Sequence, residues 1–344
     1  MNDKKARIWL TVLLLLAVVS LFGSLLFGQQ FLSPLVVLQS LSDGVSALAQ
    51  DAPIPQTDNN AVVWFIRLPR VLAGFLVGAA LAVSGAVMQG IFCHPLADSG
   101  MLGLSSGASV GAVMAISLGL SGQSLYIMPL FAFTGAIIAL MIVVALAMNR
   151  GRVPVMVLLL SGVAVNFFNG AITSGLLTIL SEYRLREYLF WMVGGLDYRR
   201  WEHVLLAAGP ILFGVTVLVL LSRHLNVLAL GEDEARGVGL PVAQFRLAFL
   251  TLAAATTAAA VCISGSIGFV GLVVPHMMRF LVGPDHRLLL PASALAGGVF
   301  LVLCDTLGRS IFTVAEVRVG IVTALLGAPY FLYLLRCERE RGID

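Results

Sequence analysis

The chain has 344 residues, of which 59% are hydrophobic and only 11% carry a charge. A soluble domain averages roughly 25% charged residues, so this composition excludes a chain that is surrounded by water. The net charge of +3 is too small for a general polyanion-binding surface, and no nucleic-acid motif accompanies it. We therefore expect a polytopic membrane protein with lipid as a partner and no nucleic acid.

Apolar segments that approach the length of a membrane-spanning helix, about 20 residues, recur along the whole chain. They lie near 8–28, 68–90, 101–120, 125–148, 154–179, 202–222, 246–264, 267–282, 288–306 and 317–336. The first is too long for a signal peptide, and the eighth is short and bounded by glycines, which is typical of segments that line a transport pathway. This pattern predicts an all-α fold of about ten transmembrane helices, in a single domain over residues 1–344.

Basic residues predict the orientation in the membrane. Lys4, Lys5 and Arg7 precede the first segment, and further arginines lie in the 149–152 turn and near the C-terminus. With a cytoplasmic N-terminus, 13 Lys and Arg face the cytoplasm and 8 face outward, which accounts for all 21. The bias follows the positive-inside rule and predicts that both termini are cytoplasmic.

Small residues at four-residue spacing predict close helix packing. Gly74 and Gly78 form one GxxxG pattern, and Gly103, Gly107 and Gly111 form two in tandem. Such spacing places small residues on one helix face and lets two backbones approach closely. We expect most of these contacts to form within one subunit.

A charged stretch, 226–242, lies between two strong apolar segments on the predicted cytoplasmic side. We expect a short amphipathic helix here, ended by Gly237 or Gly239 and then Pro241. Its charged residues are Glu232, Asp233, Glu234 and Arg236. The stretch is either a solvated loop or a coupling helix that contacts an ATPase. The chain has no GxxxxGK[ST] phosphate loop, so any ATPase must be a separate chain.

Five motifs in order resemble one family, over residues 64–335. They read RLPR from Arg67, GAALAVSGAVMQGIFCHPLADSGMLGLSSGASVG from Gly78, ALGEDEARGVGLP from Ala229, ISGSIGFVGLVVPHMMRFLVGPDHR from Ile263 and AEVRVGIVTALLGAPYF from Ala315. This pattern resembles the FecCD-type permeases, the membrane subunits of type II ATP-binding-cassette (ABC) importers, which include vitamin B12, ferric-siderophore and heme permeases.

The resemblance implies an assembly and a substrate class. It implies a homodimer with the pathway along its twofold axis, two cytoplasmic ATP-binding subunits and a periplasmic substrate-binding protein, in the inner membrane of a bacterium. The permease itself would not be an enzyme and would have no catalytic residue. A ferric siderophore ranks first as substrate, heme second and a corrinoid third.

The resemblance also implies roles for individual residues. Arg67, Arg70 and Arg309 would dock acidic residues of the binding protein, with anchoring to lipid headgroups as the alternative. The coupling loop, about 226–243, would use Gly231 and Gly239 together with Glu232, Asp233, Glu234 and Arg236. His94 and Leu96 would belong to the cytoplasmic gate.

Two positions depart from the family pattern. The usual NPLA sequence is HPLA here, so that His94 replaces an asparagine, and Arg318 replaces the usual proline after AEL or AEI. We expect His94 to act by size or hydrogen bonding and not as a metal ligand, because no second ligand lies nearby in the sequence. The role of Arg318 is left open.

Polar residues within apolar segments need partners or water. Asn166 and Asn169 lie one turn apart in the fifth segment, and either form interhelical hydrogen bonds or line the translocation pathway. Asp305 and Arg309 are four residues apart and could form an ion pair, which is the alternative to a docking role for Arg309.

The cysteines argue against a metal centre or a disulfide framework. Cys93, Cys262, Cys304 and Cys337 show no CxxC spacing and lie in or beside apolar segments, so we expect small buried hydrophobic residues and neither metal nor cofactor.

The sequence also suggests two other functions. A membrane hydrolase would need Ser264 or Ser266 beside His276, but about 15 Å of helix would separate them. An ion-driven secondary transporter would need acidic residues within its spans, and Asp305 is the one deep candidate.

Overall fold

The structure, a computed structural model, describes residues 3–55, 57–148, 152–312 and 315–340. The regular elements of these residues are helical. The α-helices are α1 (Asp3–Leu26), α2 (Pro34–Ala49), α3 (Asp58–Ala61), α4 (Leu68–Phe92), α5 (Leu104–Ser117), α6 (Ile127–Ala147), α7 (Val155–Thr178), α8 (Glu182–Met192), α9 (Trp201–Leu220), α10 (Ser222–Leu228), α11 (Glu232–Gly237), α12 (Val242–Ser264), α13 (Val270–Val282), α14 (His286–Ser310) and α15 (Val319–Glu340). A π-helical turn (Val62–Arg67) joins α3 to α4, and a 3-10 turn (Ser99–Leu102) precedes α5.

The ten predicted apolar segments all form helices, which confirms the all-α polytopic fold. By length and composition, α1, α4, α6, α7, α9, α12 and α14 can cross a membrane. The shorter apolar helices α5, α13 and α15 occupy the three other predicted segments. We call the end of the bundle that carries α11 the inner end and the end that carries Arg67 the outer end, as the charge pattern predicts.

Helix α4 forms the centre of the bundle. It packs against α9, α12, α13 and α14, and most of its side chains are buried. A Cβ on Gly78 would lie 2.2 Å from the Gly297 carbonyl oxygen of α14, and one on Gly85 would lie 2.0 Å from the Gly271 carbonyl oxygen of α13. Only hydrogen atoms on both Cα positions allow these backbones to meet.

A second close contact joins α5 to α6. A Cβ on Gly107 would overlap the Gly135 carbonyl, and one on Gly111 would overlap the Phe131 carbonyl. The predicted packing within the chain is therefore confirmed for Gly78, Gly107 and Gly111. Gly103 has a different role, because its φ of +79° belongs to the turn that starts α5.

The eighth predicted segment is short, as expected. Helix α12 ends at Ser264, and Gly265 follows with a φ of +69°. Phe269 then begins α13 from a left-handed conformation, and this helix ends at Val282, before Gly283. Thus α12 and α13 are separate helices joined by a non-helical link.

Helices α2 and α8 were not predicted, because their sequences mix polar and apolar residues. Ser40 and Asp43 interrupt the apolar pattern of α2, although Ser33 caps this helix and Pro34 occupies its first turn. Helix α2 packs through Gly44 against the ring of Trp64. Helix α8 lies in the link between α7 and α9.

Several basic residues used for the orientation lie outside the described residues. They are Arg150 in the 149–152 turn, Arg341 at the C-terminus, and the side chains of Lys4, Lys5, Arg7 and Arg339. The orientation stays a prediction.

Candidate functional site

A cluster of carboxylates surrounds Arg70 at the outer end. This guanidinium pairs with Asp305 of α14 at 2.9 Å, Asp197 of the link before α9 at 3.1 Å and Glu316 of the link before α15 at 2.7 Å. Arg70 is 7% exposed. Because burial makes each unpaired charge costly, the cluster holds together three segments that are distant in sequence.

Arg67 caps the C-terminal end of α1. Its guanidinium donates hydrogen bonds to the carbonyls of Leu25 at 2.6 Å, Leu26 at 3.0 Å and Gln30. Arg67 is 5% exposed. The last carbonyls of a helix have no partner within the helix, and a cation there also interacts favourably with the helix dipole.

Arg309 supports the same helix end from α14. It donates to the carbonyl oxygen of Ser24 at 2.6 Å and to the Ser24 hydroxyl, and it lies 3.4 Å from Asp305. The predicted ion pair between Asp305 and Arg309 is therefore present. Asp305 is engaged by two arginines, which weakens the ion-driven alternative, because a coupling ion needs an available carboxylate.

The predicted docking arginines are therefore internal in this structure. Arg67, Arg70 and Arg309 are all at least 93% buried. The docking role stays a prediction. Within this cluster, Glu316 is the most exposed partner of Arg70, at 29% of its side chain.

Arg318 has a clear structural role. It lies 3.4 Å from Asp197, its guanidinium stacks over the ring of Phe190 at 4.5 Å, and it donates a hydrogen bond to the Phe190 carbonyl. The residue that departs from the family pattern thus attaches the start of α15 to α8.

At the inner end, the predicted short helix forms as α11. Gly231 precedes it with a φ of +121°, and Gly239 follows it with a φ of +82°. Ala235 is fully buried and anchors one face, whereas Asp233 and Glu234 are exposed. The helix therefore presents an acidic face outside the bundle and is fixed to it by the opposite face.

Glu232 links α11 to α12. Its carboxylate pairs with Arg236 within α11 and with Arg246 of α12 at 3.0 Å. Burial alone would raise the pKa of Glu232, but the hydrogen bonds and positive charges of Arg246 and Arg236 hold that pKa below its usual value. The carboxylate is thus ionised at neutral pH.

Arg246 was missed as a functional candidate, because an arginine near the inner end of a helix fits the positive-inside rule. It is 6% exposed, and Nη1 also donates to the Val153 carbonyl at 2.7 Å. A buried arginine on an otherwise apolar helix is itself a signal, since it needs a partner.

Of the two predicted gate residues, His94 lines a cavity of about 440 Å³ at the inner end. The exposed His94 accepts a hydrogen bond at Nδ1 from the Leu96 amide, at 3.2 Å. The cavity is also lined by Gln89, Cys93, Arg279, Asp285 and His286. His94 thus makes a hydrogen bond within its own loop, and a role of His94 and Leu96 in a gate stays a prediction.

Both intramembrane asparagines make contacts within the chain. Asn166 donates to the Gly100 carbonyl at 3.2 Å, and Asn169 donates to the Ser106 hydroxyl at 3.1 Å. Asn169 is buried and Asn166 is half-buried. The interhelical hydrogen bonds are therefore present, and a role in lining the pathway stays a prediction.

The cysteines differ in their surroundings. Cys262 and Cys304 are buried as expected, but Cys93 is exposed beside the inner cavity, so the expectation was wrong for Cys93. The side chain of Cys337 lies outside the described residues. Within the described part of the chain, no three His, Cys, Asp or Glu residues group as a metal site.

The hydrolase candidates lie on different parts of the fold: Ser264 ends α12, Ser266 lies in the link after it and His276 lies in α13. The Ser264 hydroxyl donates to the Ala260 carbonyl, and the His276 ring packs edge-on against Phe280. The hydrolase alternative therefore has no support among the described residues.

The chain belongs to the FecCD transport family, whose model matches residues 14–337. It is 48% identical over 290 residues to the cobalamin import system permease protein BtuC of Halobacterium salinarum, a match that covers 84% of this chain and 77% of that protein. It is 42% identical over 315 residues to the hemin transport system permease protein HmuU of Yersinia pestis, covering 89% of this chain and 94% of that protein.

A solved structure has the same fold. A metal-chelate type ABC transporter in an inward-facing conformation matches with a TM-score of 0.82 at 34% identity. The match covers 96% of this chain and 99% of the other.

Proposed function

We propose that this chain is the transmembrane subunit of an ABC importer that moves a ferric siderophore, heme or a corrinoid from the periplasm to the cytoplasm. The observation that carries the proposal is α11, a short helix that joins two membrane-associated helices and presents an acidic face. A helix fixed through Ala235 and Glu232 can transmit a displacement of an ATPase subunit to the bundle, which a flexible loop cannot.

The proposed assembly is a homodimer with two ATP-binding subunits at the inner end and a binding protein at the outer end. It lies in the inner membrane of a bacterium with both termini in the cytoplasm. Family membership supports this arrangement. The exposed apolar side chains of α6 and α7 support contact with lipid or with a second copy.

We propose that the binding protein docks at the Arg70 cluster by displacing Glu316. An incoming carboxylate of the binding protein would compete with Glu316 for Nη1 of Arg70, since Glu316 is the most exposed of the three carboxylates. Arginine suits this exchange, because its planar guanidinium can bind two carboxylates at once.

The names of the relatives support a substrate class. One relative is named for cobalamin and another for hemin, and a related structure is named for metal chelates. We therefore propose a bulky metal chelate, with the choice among ferric siderophore, heme and corrinoid made chiefly by the binding protein.

The test is uptake by proteoliposomes that contain the chain with its partner ATPase and binding protein. Each of the three ligand classes is supplied outside, with ATP inside. We expect ATP-dependent uptake of one class, and none when the phosphate-loop lysine of the ATPase is replaced by alanine. Uptake that requires an ion gradient and no ATP would overturn the proposal.

A further inference from the structure

One nitrogen atom of Arg246 connects α11 to the start of α7. Nη1 of Arg246 donates to Oε2 of Glu232 at 3.0 Å and to the carbonyl oxygen of Val153 at 2.7 Å. A guanidinium Nη carries two hydrogen atoms, so the two bonds use both. Arg246 is thereby held between α11 on one side and the residue that precedes Pro154 on the other.

The Val153 carbonyl lies at the start of α7. Pro154 is the N-cap of this helix, and its ring fixes φ at −64°. Because this link is stiff, a displacement of Val153 also displaces Val155, the first residue of α7. Val153 is itself buried. A movement of this carbonyl is therefore passed along the axis of α7.

Helix α7 in turn contacts the segment that follows the predicted gate. Asn166 donates to the Gly100 carbonyl, and a Cβ on Gly162 would lie 2.1 Å from the Met101 carbonyl. Both carbonyls lie just after the loop that contains His94 and Leu96. The contacts therefore run from α11, through Arg246 and α7, to the gate segment.

We infer that Arg246 is a positioning residue for transport, through which a displacement of α11 moves α7 and the gate segment. The inference rests on the proposed function and identifies the residue that transmits the coupling within this chain. Arg246 is buried and would leave its charge unpaired if these contacts broke, so Glu232, Arg246 and Val153 move together more readily than they separate.

The test uses the reconstituted importer and measures substrate transported per ATP hydrolysed. Replacing Arg246 with methionine keeps the apolar stem and removes both hydrogen bonds, and we expect this ratio to fall by about tenfold while ATP turnover continues. Arg246→Lys keeps the charge and the donors and should retain most of the coupling. Arg287→Ala removes an exposed ion pair at the same end and serves as the control.

A charge exchange tests whether Arg246 acts only through its ion pair with Glu232. Glu232→Arg with Arg246→Glu restores opposite charges, but a carboxylate at position 246 cannot donate to the Val153 carbonyl. We expect transport by this double variant to remain uncoupled from ATP hydrolysis. The double variant also tests the inference if Arg246→Met does not assemble. Wild-type coupling in the exchanged variant, or in Arg246→Met, would overturn the inference.

The wild-type control distinguishes the two proposals. A wild-type complex without ATP-dependent uptake would contradict the proposed function itself. A transporting wild type with an equally coupled Arg246→Met variant would contradict the role of Arg246 alone.

Discussion

Two arginines separated by only Leu68 and Pro69 are held by different chemistry. Arg67 donates to carbonyl oxygens at the end of α1, whereas Arg70 pairs with three carboxylates. The RLPR motif therefore contributes to the stability of the outer end, whatever it contributes to docking. Replacing either arginine with glutamate would place a carboxylate among oxygen atoms, so that folding and docking would fail together.

We expect Arg67→Met to lower the stability of the chain by about 2–4 kcal/mol, because buried carbonyls lose a charged donor. The measurement is thermal unfolding of the purified chain in detergent, with Arg287→Ala as a matched exposed control. A variant with unchanged stability that no longer bound the binding protein would instead favour a direct docking role.

Glu232 predicts a specific pH dependence. Its pKa is lowered in the fold, so its ion pairs stabilise the chain above the ordinary Glu value of about 4.3 and are lost as the pH falls through the lower folded value. The stability difference between wild type and Glu232→Gln should therefore stay constant from neutral to mildly acidic pH and shrink below about pH 4. Unfolding measured across this range tests it, and a difference that grew with acidity would contradict it.

His94→Asn should retain transport. An asparagine side-chain oxygen can accept the hydrogen bond that His94 Nδ1 now accepts from the Leu96 amide. Uptake in proteoliposomes is the measurement, and His94→Leu, which cannot accept this bond, is the comparison. Complete loss of uptake in the asparagine variant would indicate that the imidazole contacts the substrate.

At the scale of helices, hydropathy predicted each helix that is apolar along most of its length. It predicted α13 as a short segment because Gly268 and Gly283 bound its apolar run. It missed α2 and α8, since an amphipathic helix that packs through one narrow face lacks 20 apolar residues in a row. The capping serine and first-turn proline of α2 were the available signals.

A proline in α11 should uncouple transport. The amide of Ala235 donates to the Gly231 carbonyl at 3.1 Å, and proline at this position would remove that bond. We expect Ala235→Pro to insert and dimerise normally, but to transport little per ATP hydrolysed. Ala235→Ser keeps the amide at the same buried position and is the control. Wild-type uptake by the proline variant would mean that the stretch is only a solvated loop.

At the scale of the molecule, the sequence identified important residues better than it identified the residues that contact them. Arg70 was a candidate from its motif, but its three carboxylates lie 127, 235 and 246 residues further along the chain. The same holds for Arg246, because nothing local connects it to Val153. Such pairs depend on how the helices are arranged, and no periodicity within a single segment encodes that arrangement.

The isolated chain should not hydrolyse ATP. Its sequence has no phosphate-binding loop, so turnover should appear only when the partner ATPase is added. Phosphate release by the purified chain, with and without that subunit, is the measurement. Turnover that persists in the isolated chain after removal of contaminating ATPases would contradict this expectation.

The contact between Gly78 and Gly297 restricts which parts of the bundle can move. Two backbones in direct contact have no intervening side chain that could change rotamer, and Arg70 and Asp305 join the same two helices at the outer end. Helices α4 and α14 therefore behave as one rigid frame, to which Arg309 also fixes α1. If the chain transports as proposed, α4 and α14 should keep their relative position, and α13, which meets α4 through Gly85 and Gly271, should stay with them.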